Sequence, residues 1–330
     1  METIKVAIVG ATGATGTSIV NGLLASDSAR YEITALIRPP SMQKPAVAEL
    51  EKKGVRVVSA DLTAPQEELV KLLTGIDVVI SAIYIAELKS EMLLADAAKA
   101  AGVKRFIPCF FATVIPPKGV TALRDMKPAD RLEQQKEDVL NHIKKIHLGY
   151  TVIDVGWWYQ ISVPRLPSGR IDYALTTTNS PIAGEGKVPS GLTDLRDVGK
   201  FVAKIIADPR TLNRMVFAYT KLWTQTEVRD LMDRLSGEKC TREYMSPKEI
   251  EDSIAECLSD PSKSILIHTL QYLNSWGVRG DNTPETAKYL GYLIANELYP
   301  ELVSQLCPLE EYFEEVLDGK GVQPYGKLLG

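Results

Sequence analysis

The sequence predicts an α/β fold built on a doubly wound parallel sheet. Short and almost wholly apolar segments alternate with helical segments over the first half of the chain, glycines follow several of the helical segments, and the first apolar segment runs directly into a glycine-rich loop. Strands that are buried on both faces are continuously apolar, whereas strands with one wet face alternate. We therefore expect helices on both faces of the sheet.

The elements can be followed in order along the chain. The predicted strands are KVAIV, EITALI, VRVVSAD, DVVISAI, VKRFIPC and YTVIDVG, and the helices between them are SIVNGLLA, VAELEKKG, PQEELVKLLTG, AELKSEMLLADAAKAAG and RLEQQKEDVLNHIKKI. Pro65 near a helix start and Gly54 and Gly102 at helix ends are typical boundary residues. Right-handed crossovers then give the strand order 3-2-1-4-5-6, so we predict a Rossmann-type domain over residues 1–155.

The alternation of strands and helices stops after Gly156. The following stretch is rich in Gly, Pro and Ser, and it precedes a helical segment, DLRDVGKFVAKIIAD, and a candidate seventh strand, RMVFAY. We therefore expect the chain to rejoin the first domain at about residues 190–220. The rest of residues 156–330 is predicted to form mainly a smaller, interwoven substrate-binding lobe.

Composition excludes several classes of protein. Of 330 residues, 45% are hydrophobic and 24% charged, and Lys+Arg 38 against Asp+Glu 42 gives a net charge of −4. These values predict a soluble globular protein without general attraction to nucleic acid or to an anionic membrane. Four dispersed cysteines and three histidines argue against a disulfide framework or a metal site. We expect a cytoplasmic protein with no metal, either a monomer or a homodimer.

The loop GATGATG, residues 10–16, is the first candidate binding site. After a strand, a first glycine makes the tight turn, a second lets the backbone approach a pyrophosphate, and a third lets helix and strand pack closely. The free N–H groups and the positive end of the following helix then face the phosphates. The loop residues predicted to bind a dinucleotide are Gly10, Thr12, Gly13, Ala14, Thr15 and Gly16.

The ends of the later strands predict which dinucleotide binds. A carboxylate after the second strand suits a ribose 2′-OH, whereas a basic residue there suits a 2′-phosphate. Here that strand ends in ALIRPP, with Arg38 at the discriminating position and Lys44 a few residues on. The predicted cofactor is therefore NADPH. Further cofactor contacts are expected where the next strands end, at Asp61, Ser81, Ala82 and Ile83.

The usual proton-transfer pair of short-chain dehydrogenases is absent from its usual place. That pair is Tyr-x-x-x-Lys, and Tyr244 and Lys248 have this spacing, but they lie far beyond the predicted sheet. We interpret the match as a coincidence. Either another acid/base serves this chain or the chain is not a catalyst.

Several longer segments resemble a known family. They are GATGATG, VKRFIP, LGYTVIDVG, GEGKVPSGLTDLRDVGKFVAKIIADPRTLNRMVF and ANELYPEL, of which the DPRTLN and ELYPEL segments are the most specific. The chain is similar over nearly its whole length to the NmrA-like, isoflavone reductase-like family. Its members include atypical short-chain reductases such as phenylcoumaran benzylic ether reductase and eugenol synthase.

The resemblance implies a catalytic residue. In that family a lysine on the helix before the strand PYT lies beside the nicotinamide and is regarded as the general acid/base. Lys136 matches it, since eleven residues separate Lys136 from Leu148, the counterpart of the first residue of that strand segment. A lysine in an apolar pocket loses the solvation of its charged form, so exchanging a proton with a phenol or a developing alkoxide is plausible.

Two departures from the family concern the substrate. Many plant members have S-[ED]-F-G after the KRF-[LI]-P strand and Asn-x-Phe after PYT, where this chain has CFFA and GWW. These positions face the substrate in the family. A pocket rich in aromatic side chains suits an apolar or aromatic small molecule. The predicted substrate-binding residues are Cys109, Phe110, Phe111, Trp157, Trp158 and Tyr159.

The leading expectation is an NADPH-dependent reductase. It would transfer hydride to a carbonyl, an activated double bond or a quinone-methide-like centre of a specialised metabolite, with Lys136 handling the proton. Two alternatives remain open at this point. One is a redox-sensing regulator of the NmrA-like kind that binds NADP(H) without reducing anything, and the other is a fold redirected to non-redox chemistry.

Overall fold

The computed structural model describes residues 3–83, 88–117, 132–176, 181–258, 260 and 263–324. The chain forms two compact units. The first consists of Met1–Phe111, Gln134–Asp154 and Arg196–Val216, and the second of Ala112–Glu133, Val155–Leu195 and Phe217–Gly330. Each unit is therefore assembled from segments that are separate in the sequence.

The elements of the first unit alternate between strand and helix, and they are numbered along the whole chain. They are β1 (Thr3–Val9), α1 (Ala14–Leu24), β2 (Arg30–Ile37), α2 (Pro45–Lys52), β3 (Arg56–Ser59), α3 (Gln66–Leu73), β4 (Val78–Ser81), α4 (Leu88–Ala100), β5 (Arg105–Ile107), α5 (Leu132–Lys145), β6 (Thr151–Asp154), α6 (Val198–Ala207) and β10 (Arg214–Phe217).

The sheet of the first unit has the predicted topology. Its strands β3, β2, β1, β4 and β5 are parallel neighbours in that order. A parallel bridge between Phe106 and Tyr150 places β6 beyond β5, and β10 pairs with β6. The predicted Rossmann-type α/β fold with order 3-2-1-4-5-6 is confirmed, and β10 extends it by the strand expected from RMVFAY.

Helices cover both faces of this sheet. Ala7 and Val9 of β1 belong to a buried cluster with side chains of α3, α4 and α5, among them Leu69, Leu94 and Ile143. Val6 and Ile8 are also fully buried, and successive strand residues point to opposite faces. The other face of β1 is therefore buried as well, which explains why this strand is apolar at every position from Val6 to Val9.

The returning segment packs on α1 through glycines. A Cβ at Gly199 of α6 would lie 1.9 Å from Ser18 O, and one at Gly22 would lie 2.1 Å from the carbonyl carbon of Gly199. Ser18 Oγ accepts the Gly199 N–H at 3.0 Å and donates to Arg196 O at 3.2 Å. This close backbone approach needs glycine on both helices, and it joins α6 to the helix that follows the glycine loop.

The second unit contains shorter elements. They are β7 (Trp157–Trp158), β8 (Ile182–Ala183), β9 (Ser190–Thr193), β11 (Lys221–Trp223), α7 (Gln225–Ser236), β12 (Tyr244–Met245), α8 (Pro247–Cys257), α9 (Ser264–Tyr272), α10 (Pro284–Tyr289), β13 (Leu293–Ile294), α11 (Ala295–Leu298), α12 (Pro300–Val303) and α13 (Leu309–Leu317), with a π-helical segment at Leu273–Arg279. Strands β11, β9 and β7 form one small sheet, and β12 pairs with β8.

Local sequence signals explain two of these helices. Thr224 and Glu227 form a capping box at the start of α7, and Ser246 and Glu249 form another at the start of α8. Each box satisfies N–H groups that the first helical turn leaves unpaired. None of the helices in the described part of the chain is both long and apolar enough to cross a membrane.

Candidate active site

The glycine loop lies directly against the end of β4. Gly10 has a φ of +79°, and a Cβ there would lie 2.1 Å from Ala82 O. A Cβ at Gly16 would lie 2.1 Å from Gly10 O. Only glycine allows both approaches, so the turn packs compactly against the end of β4 and the start of α1.

Helix α1 begins in this loop, and its N-terminus is suited to binding an anion. Gly13 is its N-cap and provides no side-chain hydrogen bond, and the first turn has no acidic residue. The free N–H groups and the positive end of the helix dipole are thus left for a ligand. This donor set fits the pyrophosphate of a dinucleotide. Thr12, Ala14 and Thr15 lie in the same loop and first turn.

Two basic residues follow the end of β2. Arg38 comes directly after the strand, and Lys44 is the N-cap residue of α2. Both side chains are exposed to solvent. Their position at the carboxyl end of β2 is the one at which a 2′-phosphate is recognised in Rossmann-type domains.

Asp61 has a local partner that the sequence did not suggest. Its Oδ1 accepts hydrogen bonds from Thr63 N at 2.9 Å and from Thr63 Oγ1 at 2.7 Å. These hydrogen bonds hold the pKa of the Asp61 carboxyl below its usual range. Asp61 thus stabilises the turn after β3, and its predicted contact with a cofactor stays a prediction.

A series of contacts leads from the glycine loop to the loop after β5. Ala82 faces Gly10, and the carbonyl of the next residue, Ile83, lies 3.3 Å from Cys109 Sγ. The backbone N–H of Cys109 donates to Glu91 Oε1 on α4 at 2.7 Å. The carboxyl ends of β1, β4 and β5 are therefore connected through direct contacts.

Lys136 on α5 contacts the same loop. Its Nζ lies 3.2 Å from Phe110 O and 5.6 Å from the centroid of the Phe110 ring. The Lys136 residue is only 7% exposed. The structure thus brings four predicted site residues of the first unit together: Ile83, Cys109, Phe110 and Lys136.

Glu91 belongs to this cluster, and sequence reasoning missed it. Glu91 is 1% exposed, and this burial has the largest effect on its carboxyl. Burial raises the pKa of the carboxyl from its ordinary value of 4.5 to about 7. The Ser81 hydroxyl, the Cys109 N–H and the positive charge of Lys136 act in the opposite direction.

A helical pattern would have pointed to Glu91. Leu94, Ala95 and Ala98 follow it at spacings of three, four and seven residues, and all three are fully buried. Residues at these spacings share one face of a helix. An acidic residue at the start of a buried face was therefore visible in the sequence. Burial of the Cys109 thiol, together with the charge of the nearby Glu91, raises the pKa of that thiol to about 12.

The predicted substrate-binding aromatics occupy different environments. Phe111 is 3% exposed, has a φ of +31° and donates its N–H to Ile153 O at 3.0 Å. In the second unit Tyr159 is fully buried and packs in a core cluster with Tyr312, while Trp158 is 7% exposed. These positions favour packing roles for Phe111 and Tyr159, and their predicted contacts with substrate remain untested predictions.

Trp157 is the least buried of the three second-unit aromatics. Its ring is tilted against Tyr272 at 5.8 Å and against Trp276 at 5.6 Å between centroids. Tyr272 and Trp276 were not predicted, because they lie more than a hundred residues later in the chain and no local pattern links them to Trp157. We call these three residues the aromatic group of the second unit.

Tyr244 and Lys248 both lie on the surface of the second unit. Tyr244 is 54% exposed, and Lys248 Nζ pairs with Asp252 at 2.8 Å on the exposed side of α8. Tyr244 and Lys248 therefore do not form a buried proton-transfer pair. This arrangement agrees with the interpretation of the Tyr-x-x-x-Lys match as a coincidence.

Comparisons with known proteins agree with the motifs. The profile of the NmrA-like family matches residues 2–313. Asnovolin J 5′,6′-dehydrogenase from Aspergillus novofumigatus is 49% identical over 96% of this chain and 97% of that protein. An isoflavone reductase-like protein from Olea europaea is 26% identical over 94% of this chain and 98% of that protein.

A solved structure shows the same fold. The complex of leucoanthocyanidin reductase with NADPH from Vitis vinifera has a TM-score of 0.75 and 23% identity, with 95% of this chain and 99% of that chain covered. The oxidoreductase class predicted above agrees with the names of all three proteins, and the predicted family is confirmed. The chain belongs to the NmrA-like family.

Proposed function

We propose that this protein is an NADPH-dependent oxidoreductase acting on an apolar or aromatic specialised metabolite. Hydride is exchanged with a carbonyl, an activated double bond or a quinone-methide-like centre, and Lys136 is the general acid/base. The observation that supports this most is the series of contacts in the first unit. It runs from the glycine loop at Gly10, through the end of β4, to the buried Lys136.

The residues of the first unit fit NADPH. The N–H groups at the start of α1 would hold the pyrophosphate. Arg38 and Lys44 would hold the 2′-phosphate. When bound, the nicotinamide supplies or accepts the hydride. Ser81 to Ile83 line the approach from the glycine loop to Lys136.

Lys136 moves the proton. Its amine has three donor positions when charged, and Phe110 O accepts from it. The charged amine can donate to the oxygen on which negative charge develops and can supply a proton to it. Burial excludes water from this exchange, which strengthens the electrostatic interaction with that oxygen. The Phe110 carbonyl keeps the amine directed at one place.

Trp157 is a proposed substrate-binding residue of the second unit. Its ring is tilted against those of Tyr272 and Trp276, and aromatic rings bury large apolar areas. The 49% identical relative is named a dehydrogenase, and a relative from Betula pendula is named a phenylcoumaran benzylic ether reductase. A dehydrogenase and a reductase differ in the direction of hydride transfer, so the direction must be measured for this chain.

The test begins with binding and then follows turnover. NADPH and NADH are titrated by fluorescence, and turnover is measured with NADP⁺ and asnovolin J and with NADPH and a panel of aromatic ketones and enones. The variants are Lys136→Met and, as a matched control on the same helix, Lys144→Met, whose side chain is exposed beside Tyr150. Lys136→Met should bind NADPH normally and lose turnover at least about 100-fold, while Lys144→Met keeps it.

Other outcomes identify the alternatives. Tight NADPH binding without turnover of any substrate would favour a redox-sensing regulator. Turnover that does not need NADPH or NADP⁺ would favour a non-redox enzyme. Full activity of Lys136→Met would remove Lys136 from the mechanism while leaving the oxidoreductase assignment intact.

A further inference from the structure

Glu91 and Lys136 hold two consecutive residues of one loop. Glu91 Oε1 accepts the N–H of Cys109 at 2.7 Å, and Lys136 Nζ donates to the carbonyl of Phe110 at 3.2 Å. The loop follows β5 and therefore lies at the carboxyl edge of the sheet. The carboxylate on α4 and the amine on α5 thus share a short piece of backbone.

Both charged groups are withdrawn from water. Glu91 is 1% exposed and Lys136 is 7% exposed. An isolated buried charge is costly, so a carboxyl in this position requires compensation. The Cys109 N–H provides part of it, and the positive charge of Lys136, which favours the ionised form of Glu91, provides another part. By the same interaction, ionised Glu91 favours the ammonium form of Lys136.

We propose that Glu91 is the positioning residue of Lys136. It fixes the loop that receives the Lys136 amine, and its carboxylate keeps that amine charged, so that Lys136 serves as the proton donor to the substrate oxygen. This inference rests on the proposed function, because it assigns Lys136 the role of an acid rather than of a base. After the proton is given up, Lys136 is a neutral amine and the Glu91 carboxylate remains held by Cys109.

The titratable and polar groups that face Glu91 limit the pH range in which ionised Glu91 can keep Lys136 charged. They are the Ser81 hydroxyl at the end of β4, the Cys109 thiol after β5 and the Lys136 amine on α5. The thiol, with its pKa at about 12, stays protonated near neutral pH. Glu91, whose pKa burial raises to about 7, is therefore the group facing this site whose charge changes near neutral pH.

The Glu91 carboxyl has two proposed roles, which are to accept the Cys109 N–H and to carry a negative charge near Lys136. The variant Glu91→Gln separates them. Glutamine has nearly the same shape, and its amide oxygen still accepts the Cys109 N–H. The negative charge, however, is lost. Asp96→Asn is the matched control, because Asp96 also lies on α4 and pairs with α5, through His142 at 2.7 Å, but it is half exposed and outside the cluster. Circular dichroism and thermal unfolding confirm that both variants are folded.

Labelling of Lys136 is the first measurement. Acetic anhydride reacts with neutral amines, and peptide mass spectrometry reports each lysine separately. At about pH 7.5, Lys136 should react about tenfold faster in Glu91→Gln than in the wild type, since loss of an opposite charge favours the neutral amine. Asp96→Asn should leave the Lys136 rate unchanged. Equal rates in Glu91→Gln and the wild type would overturn the proposal.

The pH profile of turnover is the second measurement. In the reducing direction, Glu91→Gln should lower kcat about tenfold or more, change KM little, and remove the inflection that is expected in the wild-type profile near pH 7, because burial raises the pKa of Glu91 to about 7. An unaltered profile would overturn the proposal. Because labelling needs neither cofactor nor substrate, it judges the role of Glu91 even if the protein proves not to be an oxidoreductase.

Discussion

Arg105 Nη1 lies 2.8 Å from Thr211 Oγ1, although the two residues are 106 positions apart in the sequence. The same guanidinium donates to Ile205 O at 2.8 Å and to Asp208 O at 3.0 Å. Arg105 comes from the VKRFIP segment and Thr211 from the DPRTLN segment. Two segments that carried the resemblance to the family therefore contact each other and attach the returning chain to β5.

Arg105→Met is expected to destabilise the protein strongly. The Arg105 residue is 6% exposed, so its replacement removes the charge-assisted hydrogen bonds to Ile205 O, Asp208 O and Thr211 Oγ1, at a cost of about 3 kcal/mol. Urea unfolding measures this as a lower midpoint with an unchanged slope. Arg210→Met, which removes an exposed arginine that pairs locally with Asp208, should cost less than about 1 kcal/mol. Similar losses in both variants would contradict this role of Arg105.

Gly10→Ala is expected to impair NADPH binding. The new Cβ would lie 2.1 Å from Ala82 O at a φ of +79°, so the loop must move away from β4. Affinity for NADPH, measured by fluorescence titration, should fall at least about tenfold, the equivalent of roughly 1.4 kcal/mol.

Gly54→Ala is the control for Gly10→Ala. Gly54 has a nearly identical φ of +80°, but its Cβ would meet nothing within 4 Å. It therefore carries the same backbone strain, of order 1 kcal/mol, without the clash. Gly54→Ala should leave NADPH affinity unchanged, and an equal loss in both variants would mean that strain rather than the clash matters.

Arg38→Ser is expected to reduce the preference for NADPH over NADH. Loss of a charge-assisted hydrogen bond to the 2′-phosphate should weaken NADPH about tenfold and leave NADH unchanged. Arg30→Ser is the control, since Arg30 is exposed at the opposite end of β2. Parallel weakening of both cofactors in Arg38→Ser would instead indicate a contact shared by both, such as the pyrophosphate.

The pH dependence of stability should report Glu91. Its pKa is about 7 in the folded protein and near its ordinary value of 4.5 when unfolded. Between these values the folded state binds more protons, so stability falls as pH rises through this window and is level above it. Relative to Glu91→Gln, the wild type should lose of order 3 kcal/mol across the window. Urea unfolding at several pH values measures the difference, and parallel profiles would exclude a raised pKa.

The sequence determined the parts of the protein that depend on neighbours along the chain. The apolar strands, the glycine loop, the end of α2 just before Gly54 and the strand order of the first unit follow from local patterns and general rules of chain connection. The family and the position of Lys136 came from longer motifs. These features need no knowledge of which distant side chains meet.

Only the tertiary structure decided what surrounds Lys136. Glu91 lies 45 positions earlier in the chain, which is the difference between the two residue numbers, and its approach depends on how α4 and α5 cover one face of the sheet. The same holds for Trp157 with Tyr272 and Trp276. The physical reason is that burial and proximity set the charge state of a group, and both are properties of the folded chain rather than of a residue and its neighbours in sequence.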